Sequence, residues 1–260
     1  MSFFGGIFSV DSKFSVVMSK LFDLMVLNFI FIIMCIPIVT IGANLTAMSY
    51  VTLRMSRNED SYVWKSYWKS FRENFKQSTI IWLLMFALGL FLVSDIYLTI
   101  KVMTGWLTNI KYFFFFLALV YIFVFLYVFP VQSRFYNKIK YTLRNSFLFA
   151  IRHLPYTLLM VLVVVGPTFV ALMAGGAVFN YFILVVILAG FSGTSYINSI
   201  FLNKIFKKYM PTEEEQTEEE EAAAALKHMD ETAISDNGEE TPVLTTDASV
   251  VDGDEAKGNL

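Results

Sequence analysis

The feature that most constrains this chain is a stretch of 50 residues, Leu154 to Asn203, without one formal charge. A helix that is apolar all round must be buried in a large core or in lipid. A bilayer hydrocarbon core about 30 Å thick takes about 20 apolar residues at about 1.5 Å rise each. The stretch is therefore long enough for two spans, with Pro155 where a first helical turn tolerates it and Gly175-Gly176 as the turn between them. Three more uncharged runs follow the same arithmetic: Leu24 to Leu53, Gln77 to Ser94 and Tyr112 to Ser133, with 30, 18 and 22 residues. The expected fold is all-α, a helical integral membrane protein with spans at about 21–43, 77–100, 112–133, 155–174 and 177–202. The first is expected to bend near Pro37, with 43–55 continuing as a helical exit on the membrane surface.

Charge divides the chain at Pro211. Residues 1–210 hold 18 Lys and Arg against 6 Asp and Glu, whereas 211–260 hold 2 against 16, so a net charge of −2 hides +12 and −14. All 44 aromatic residues also precede Pro211. A transmembrane domain over 1–210 and an acidic, disordered tail over 211–260 follow from this. With no Lys or Arg before Lys13 and a first apolar run longer than a signal-peptide core, that run is expected to remain as an anchor.

Cations set orientation. In a five-span arrangement 14 of the Lys and Arg, in the connections 54–76 and 134–152 and after the last span, fall on one side, against Lys13, Lys20, Lys101 and Lys111 on the other. This predicts a protein of the cell membrane with a cytoplasmic C-terminus. A re-entrant or split segment between 24 and 56 would instead bring the N-terminus to the basic side.

The connection 61–77 carries Trp64, Tyr67, Trp68, Phe71 and Phe75 on one helical stripe and Lys65, Lys69, Arg72 and Lys76 beside it. That pattern suits a helix lying in the membrane interface, against anionic headgroups or a soluble partner. The connection 134–153, with Arg134, Lys138 and Arg152 opposite an apolar side, reads as a second such helix. Lipid phosphates account for these cations, so nucleic acid is not expected.

No catalytic chemistry is expected. The only histidines are His153 and His228, the only cysteine is Cys35, and no phosphate-binding loop, nucleophile elbow or zinc motif occurs, so neither metal nor cofactor is expected. Asp23 and Asp95 are the carboxylates within or beside spans, and in a five-span arrangement both would border one external pocket with Tyr97. A small carrier would need polar residues such as Asn28, Thr168, Asn180 and Ser195 to converge in mid-membrane.

The residues Cys35-Ile36-Pro37-Ile38-Val39-Thr40-Ile41-Gly42-Ala43 and Thr46-Ala47-Met48-Ser49-Tyr50-Val51 resemble the YesL-like family of bacterial multi-pass membrane proteins, a domain of unknown function. The likeness continues through Glu59 to Tyr62, Phe71 to Gln77, Phe129-Pro130, Arg134-Phe135, Asn145, Leu154-Pro155-Tyr156-Thr157, Tyr196-Ile197-Asn198 and Asn203-Lys204, over about 10–210. The resemblance implies proteins often encoded beside sugar importers and glycosidases, and brings no catalytic residues. The expectation is a non-enzymatic accessory or regulatory component of carbohydrate uptake, touching a sugar importer complex; the alternative is a small solute carrier or channel.

Overall fold

The structure is a computed structural model that describes residues 13–59, 62–101, 109–135 and 137–210. The acidic tail lies outside the described residues. Within them the protein is helical, without strands: α1 (Lys13–Met34), a short 3-10 turn (Ile38–Thr40), α2 (Ile41–Ser56), α3 (Val63–Lys101), α4 (Ile110–Arg134), α5 (Ile139–Arg152), α6 (Leu154–Ala174), α7 (Gly176–Val185), a π-helical turn (Val186–Gly190) and α8 (Phe191–Phe206). Five helices, counting 176–206 as one, are long and apolar enough to cross a membrane.

The first apolar run is not one bent span. Pro37 lacks an N–H and disfavours helix at the residue before it, so α1 ends at Met34 and the chain reverses. Two contacts fix the direction of the return. At one end the Lys20 ammonium donates to the Asn58 carboxamide oxygen at 2.6 Å; at the other, the Asn44 amide donates to the Met34 carbonyl. α1 and α2 are therefore antiparallel, and the hairpin starts and finishes at one end of the bundle. Its tip carries no charge, and Ile36 and Ile38 are 77% and 63% exposed, which suits lipid rather than water.

This arrangement corrects the expected direction of α1. Lys13 and Lys20 belong with the two basic connections, so 16 of the 18 cations before Pro211 gather at one end, and only Lys101 and Lys111 flank the other. α3, α4, α6 and the α7–α8 helix then run alternately between the ends. Tyr121 reaches the Met85 carbonyl and Gln132 reaches Gln77, so α3 and α4 are antiparallel. Gly175 and Gly176, with φ of +59° and +50°, make the tight reversal after α6 that a side chain would strain.

The second correction concerns α2, expected as an exit helix on the membrane surface. Eleven of its 16 residues are buried. On its small polar face (Gly42, Thr46, Ser49, Thr52), Gly42 and Thr46 meet Ser78, the last of the buried polar positions Ser66, Ser70, Asn74 and Ser78 on α3, and Thr52 meets α8 serines. Thr46 and Ser78 share a hydrogen bond of 2.8 Å, and Thr52 bonds Ser195 and Ser199 at 2.9 Å each. A Cβ on Gly42 would overlap the Ser78 carbonyl oxygen and the Trp82 Cβ, so glycine sets how closely α2 and α3 approach. Tyr67 reaches across this contact to the Asn44 carboxamide oxygen at 2.9 Å.

Candidate functional site

The segment 63–76 forms one helix with the span that follows it. With neither Gly nor Pro at the change of polarity, nothing interrupts the backbone ladder, and α3 runs for 39 residues, about 58 Å. That is about twice the hydrocarbon thickness, and the first turns of α3 pack along the hairpin, Val63 and Tyr67 meeting Leu24, Leu27 and Phe31 of α1 and Val51 and Met55 of α2. The segment expected as a separate helix is thereby the first part of a longer one.

The faces of this extension are also distinct from the expectation. Val63, Ser66, Tyr67, Ser70 and Asn74 face inward, whereas Trp64 is 54% exposed and Trp68 and Phe71 are half-buried. The rings form a ladder along the helix: Trp64 stacks on Trp68 at 5.9 Å, Trp68 on Phe71 at 5.4 Å, and Phe71 meets Phe75 edge-on at 5.4 Å. The Arg72 guanidinium lies 4.9 Å over the Trp68 ring, a cation–π contact, and Lys65, Lys69 and Lys76 are exposed beside it. Trp64, Trp68, Phe75 and all four cations thus share one outer surface, Phe71 bridges from it to the core beside Tyr67, and Tyr67 has an internal task.

At the same end α2, α4 and α8 meet around one carboxylate. Glu59 accepts from the Arg54 guanidinium at 3.0 Å and from Arg57, and Arg57 also donates to the Asn203 carboxamide oxygen at 3.0 Å. The bond from Arg57 holds the Glu59 carboxyl below its ordinary range, aided by the charges of Arg57 and Arg54. Asn203 donates in turn to the Leu53 carbonyl at 3.0 Å and to Ser56. The half-buried Arg134 side chain feels the charges of Arg57 and Glu59. Lys138 occupies the position before the first turn of α5, and Arg152 closes that helix beside Tyr209.

The expected external pocket does not form. Asp23 lies midway along α1, one turn beyond Lys20, whereas Asp95 and Tyr97 lie in the last turns of α3, close to Lys101 at the end away from the basic connections. Tyr67, at the basic end, precedes Asp95 on α3 by about 42 Å of helix. Placing both carboxylates outside depended on α1 crossing in the other direction. The polar residues suggested for a carrier do not converge either. Ser195 is bonded to Thr52, Thr168 is bonded to the Val164 carbonyl of its own helix, and Asn180 lies on α7 without a place in these networks.

Asn28 has a role that spacing alone does not reveal. Its Nδ2 donates to the Val186 and Ile187 carbonyls at 3.1 and 2.7 Å, and its Oδ1 accepts from the Phe191 and Ser192 N–H groups at 3.1 Å each. The widened turn 186–190 offers these backbone groups, and one fully buried carboxamide satisfies four of them. Ser192 adds a bond to the Leu24 carbonyl at 2.7 Å. A second buried network joins Gln132 to Gln77 at 2.6 Å, to Asn74 at 3.3 Å and to Thr142 at 2.9 Å. The sequence signal for both is a carboxamide inside an apolar helix, which in lipid needs partners. Among the described residues no three His, Cys, Asp or Glu side chains gather as a metal site requires.

Length, apolarity and the alternating directions of these helices define a multi-pass helical membrane protein. Residues 24–96 match the model of a family described as "Protein of unknown function, DUF624". The matched stretch covers the α1–α2 hairpin from Leu24 and α3 to Ile96, the elements that share the buried polar seam. No curated protein and no solved structure matches the chain.

Proposed function

We propose that the chain is a non-enzymatic accessory or regulatory membrane protein, oriented with its basic end in the cytoplasm, that binds a component of a carbohydrate uptake system. The observation that carries the docking part is the outer face of the first turns of α3. Trp64, Trp68 and Phe75 present an outer surface with cations beside it, while Val63, Ser66, Tyr67, Ser70 and Asn74 do the internal packing. Exposed Trp and Arg on a rigid helix are the residue types that anchor protein interfaces. The cytoplasmic orientation draws on the gathering of 16 cations at that end. The link to carbohydrate draws only on the likeness to YesL-like proteins.

The test is photo-crosslinking in native membranes from benzoylphenylalanine placed at Trp64 and, separately, at exposed Leu98 near the other end of α3. The expected result is an adduct with a sugar-importer subunit from position 64 and none from 98. Adducts with lipid alone at both positions, with no importer subunit recovered on purification at native expression, refute the reading. The carrier reading draws less support, because Asn28 and Ser195 are already bonded within the bundle and Thr168 is bonded along its own helix. Solute-dependent flux in reconstituted liposomes would restore it.

A further inference from the structure

The basic end carries a cleft that the docking surface on α3 does not use. α5 places Asn145, Leu148, Phe149 and Arg152 on one side by its i, i+3, i+4, i+7 spacing. Phe135, just after α4, and Tyr209, just after α8, close a cavity of about 340 Å³ with them. Phe149 sits between the two closing rings, 6.4 Å from Phe135 and 4.9 Å from Tyr209. The cleft is thus floored by aromatic rings, with exposed Leu148 on its apolar wall.

Two of its polar groups, the Arg152 guanidinium and the Asn145 carboxamide, are unspent among the described residues. The Arg152 guanidinium lies 5.6 Å over the Tyr209 ring and has no carboxylate partner among the described residues. The half-buried Asn145 carboxamide, in the same wall, makes no hydrogen bond within them. The Tyr209 hydroxyl is held 2.9 Å from Nε2 of His153. Burial, then the charges of Lys208 and Arg152, push the His153 imidazole below its ordinary value, and those two cations sit beside the mouth.

The cleft lies where spans begin and end. Arg152 precedes Leu154, the first residue of α6, and Tyr209 follows Phe206, the last of α8. Side chains at such positions sit at headgroup depth. We infer that this cleft binds the phosphate of one anionic phospholipid headgroup. Arg152 donates two parallel N–H bonds to phosphate oxygens, Asn145 donates to an ester or headgroup hydroxyl oxygen, and Leu148 and the phenylalanine rings cover the glycerol and first methylenes. A lipid reaches this position by diffusing in the bilayer, at a local concentration that a soluble phosphate does not attain.

The test uses the full chain in detergent micelles and native mass spectrometry, with phosphatidylglycerol, phosphatidylcholine of the same acyl chains, and inorganic phosphate as separate additions. Phosphatidylglycerol is expected to bind at one site and to resist exchange by phosphatidylcholine. Arg152→Gln is expected to weaken it by about tenfold or more, the cost of losing a charge-assisted hydrogen-bonded pair. Asn145→Leu should weaken it less, and Arg144→Gln, the same charge change at an exposed position of α5 outside the cleft, should change it less than about twofold. Equal losses in Arg152→Gln and Arg144→Gln would reduce the site to general surface charge and overturn the inference. Displacement of phosphatidylglycerol by millimolar inorganic phosphate would also overturn it, in favour of a soluble anion.

Discussion

Replacing Asn28 is the most direct probe of how the hairpin is tied to the last span. Its carboxamide makes four hydrogen bonds, two donated and two accepted, to backbone groups around the π-helical turn. Polar contacts between membrane helices average about 0.6 kcal/mol each, so four amount to about 2.4 kcal/mol. Backbone groups left unpaired in a dry site cost more, about 1–3 kcal/mol each, although the turn can recover some by returning to α-helical bonding. Asn28→Leu is therefore expected to lower stability by about 2–4 kcal/mol. Asn28→Asp keeps the volume but turns an acceptor toward the Val186 and Ile187 carbonyls, so at neutral pH it should be worse than Leu. The measurement is reversible unfolding in mixed micelles against the mole fraction of a denaturing detergent, followed by helical circular dichroism. A loss under about 0.5 kcal/mol for Asn28→Leu, well below the four-bond sum, would refute the account of the turn. A stability order with Asp above Leu would refute the donor geometry.

The same assay tests Gly42: Gly42→Ala should cost about 1–3 kcal/mol, because the new methyl meets the Ser78 backbone, whereas Gly166→Ala, whose Cβ would only touch Leu162 side-chain atoms at ordinary distance, should be close to neutral. Topology is checked by single cysteines in a Cys35→Ser background: an impermeant thiol reagent should label positions 20 and 207 from one face and position 111 from the other, and labelling of 20 with 111 would restore the five-crossing order. Glu59 binds its proton less readily in the folded protein than unfolded, so its contribution is present above its ordinary value of 4.5 and is lost as pH falls through the lowered one. Glu59→Gln should flatten that acid limb of the stability profile. His153, also lowered, acts in the same direction at higher pH: the unfolded chain takes up its proton near 6.5 before the folded one does, so stability declines as pH falls below that value, and His153→Gln should remove the step.

The helical membrane class is legible in the sequence because uncharged runs of span length leave few alternatives, and the clustering of cations is legible because it needs only counting. The misleading stretch is the 30-residue run from Leu24 to Leu53, where absence of charge makes a buried hairpin look like one bent span. Its second half already differs in kind: Gly42, Thr46, Ser49 and Thr52 recur at helical spacing, a face for close helix contact and poorly suited to lipid. The matching serines on α3 lie in the segment whose aromatic stripe is the louder pattern, since a periodicity judged by apolarity makes rings conspicuous and hydroxyls not. Small polar seams are packed by their partners, and partners are what one-dimensional periodicity omits. The π-helical turn has no local mark at all, because it exists to meet a carboxamide some 160 positions earlier in the chain. Once the hairpin is folded, the charge count becomes simpler: the distribution that the five-crossing order leaves as 14 against 4 becomes 16 against 2. The topology counted from cations and the packing read from hydrogen bonds thus meet at Lys20, whose bond to Asn58 closes the mouth of the hairpin.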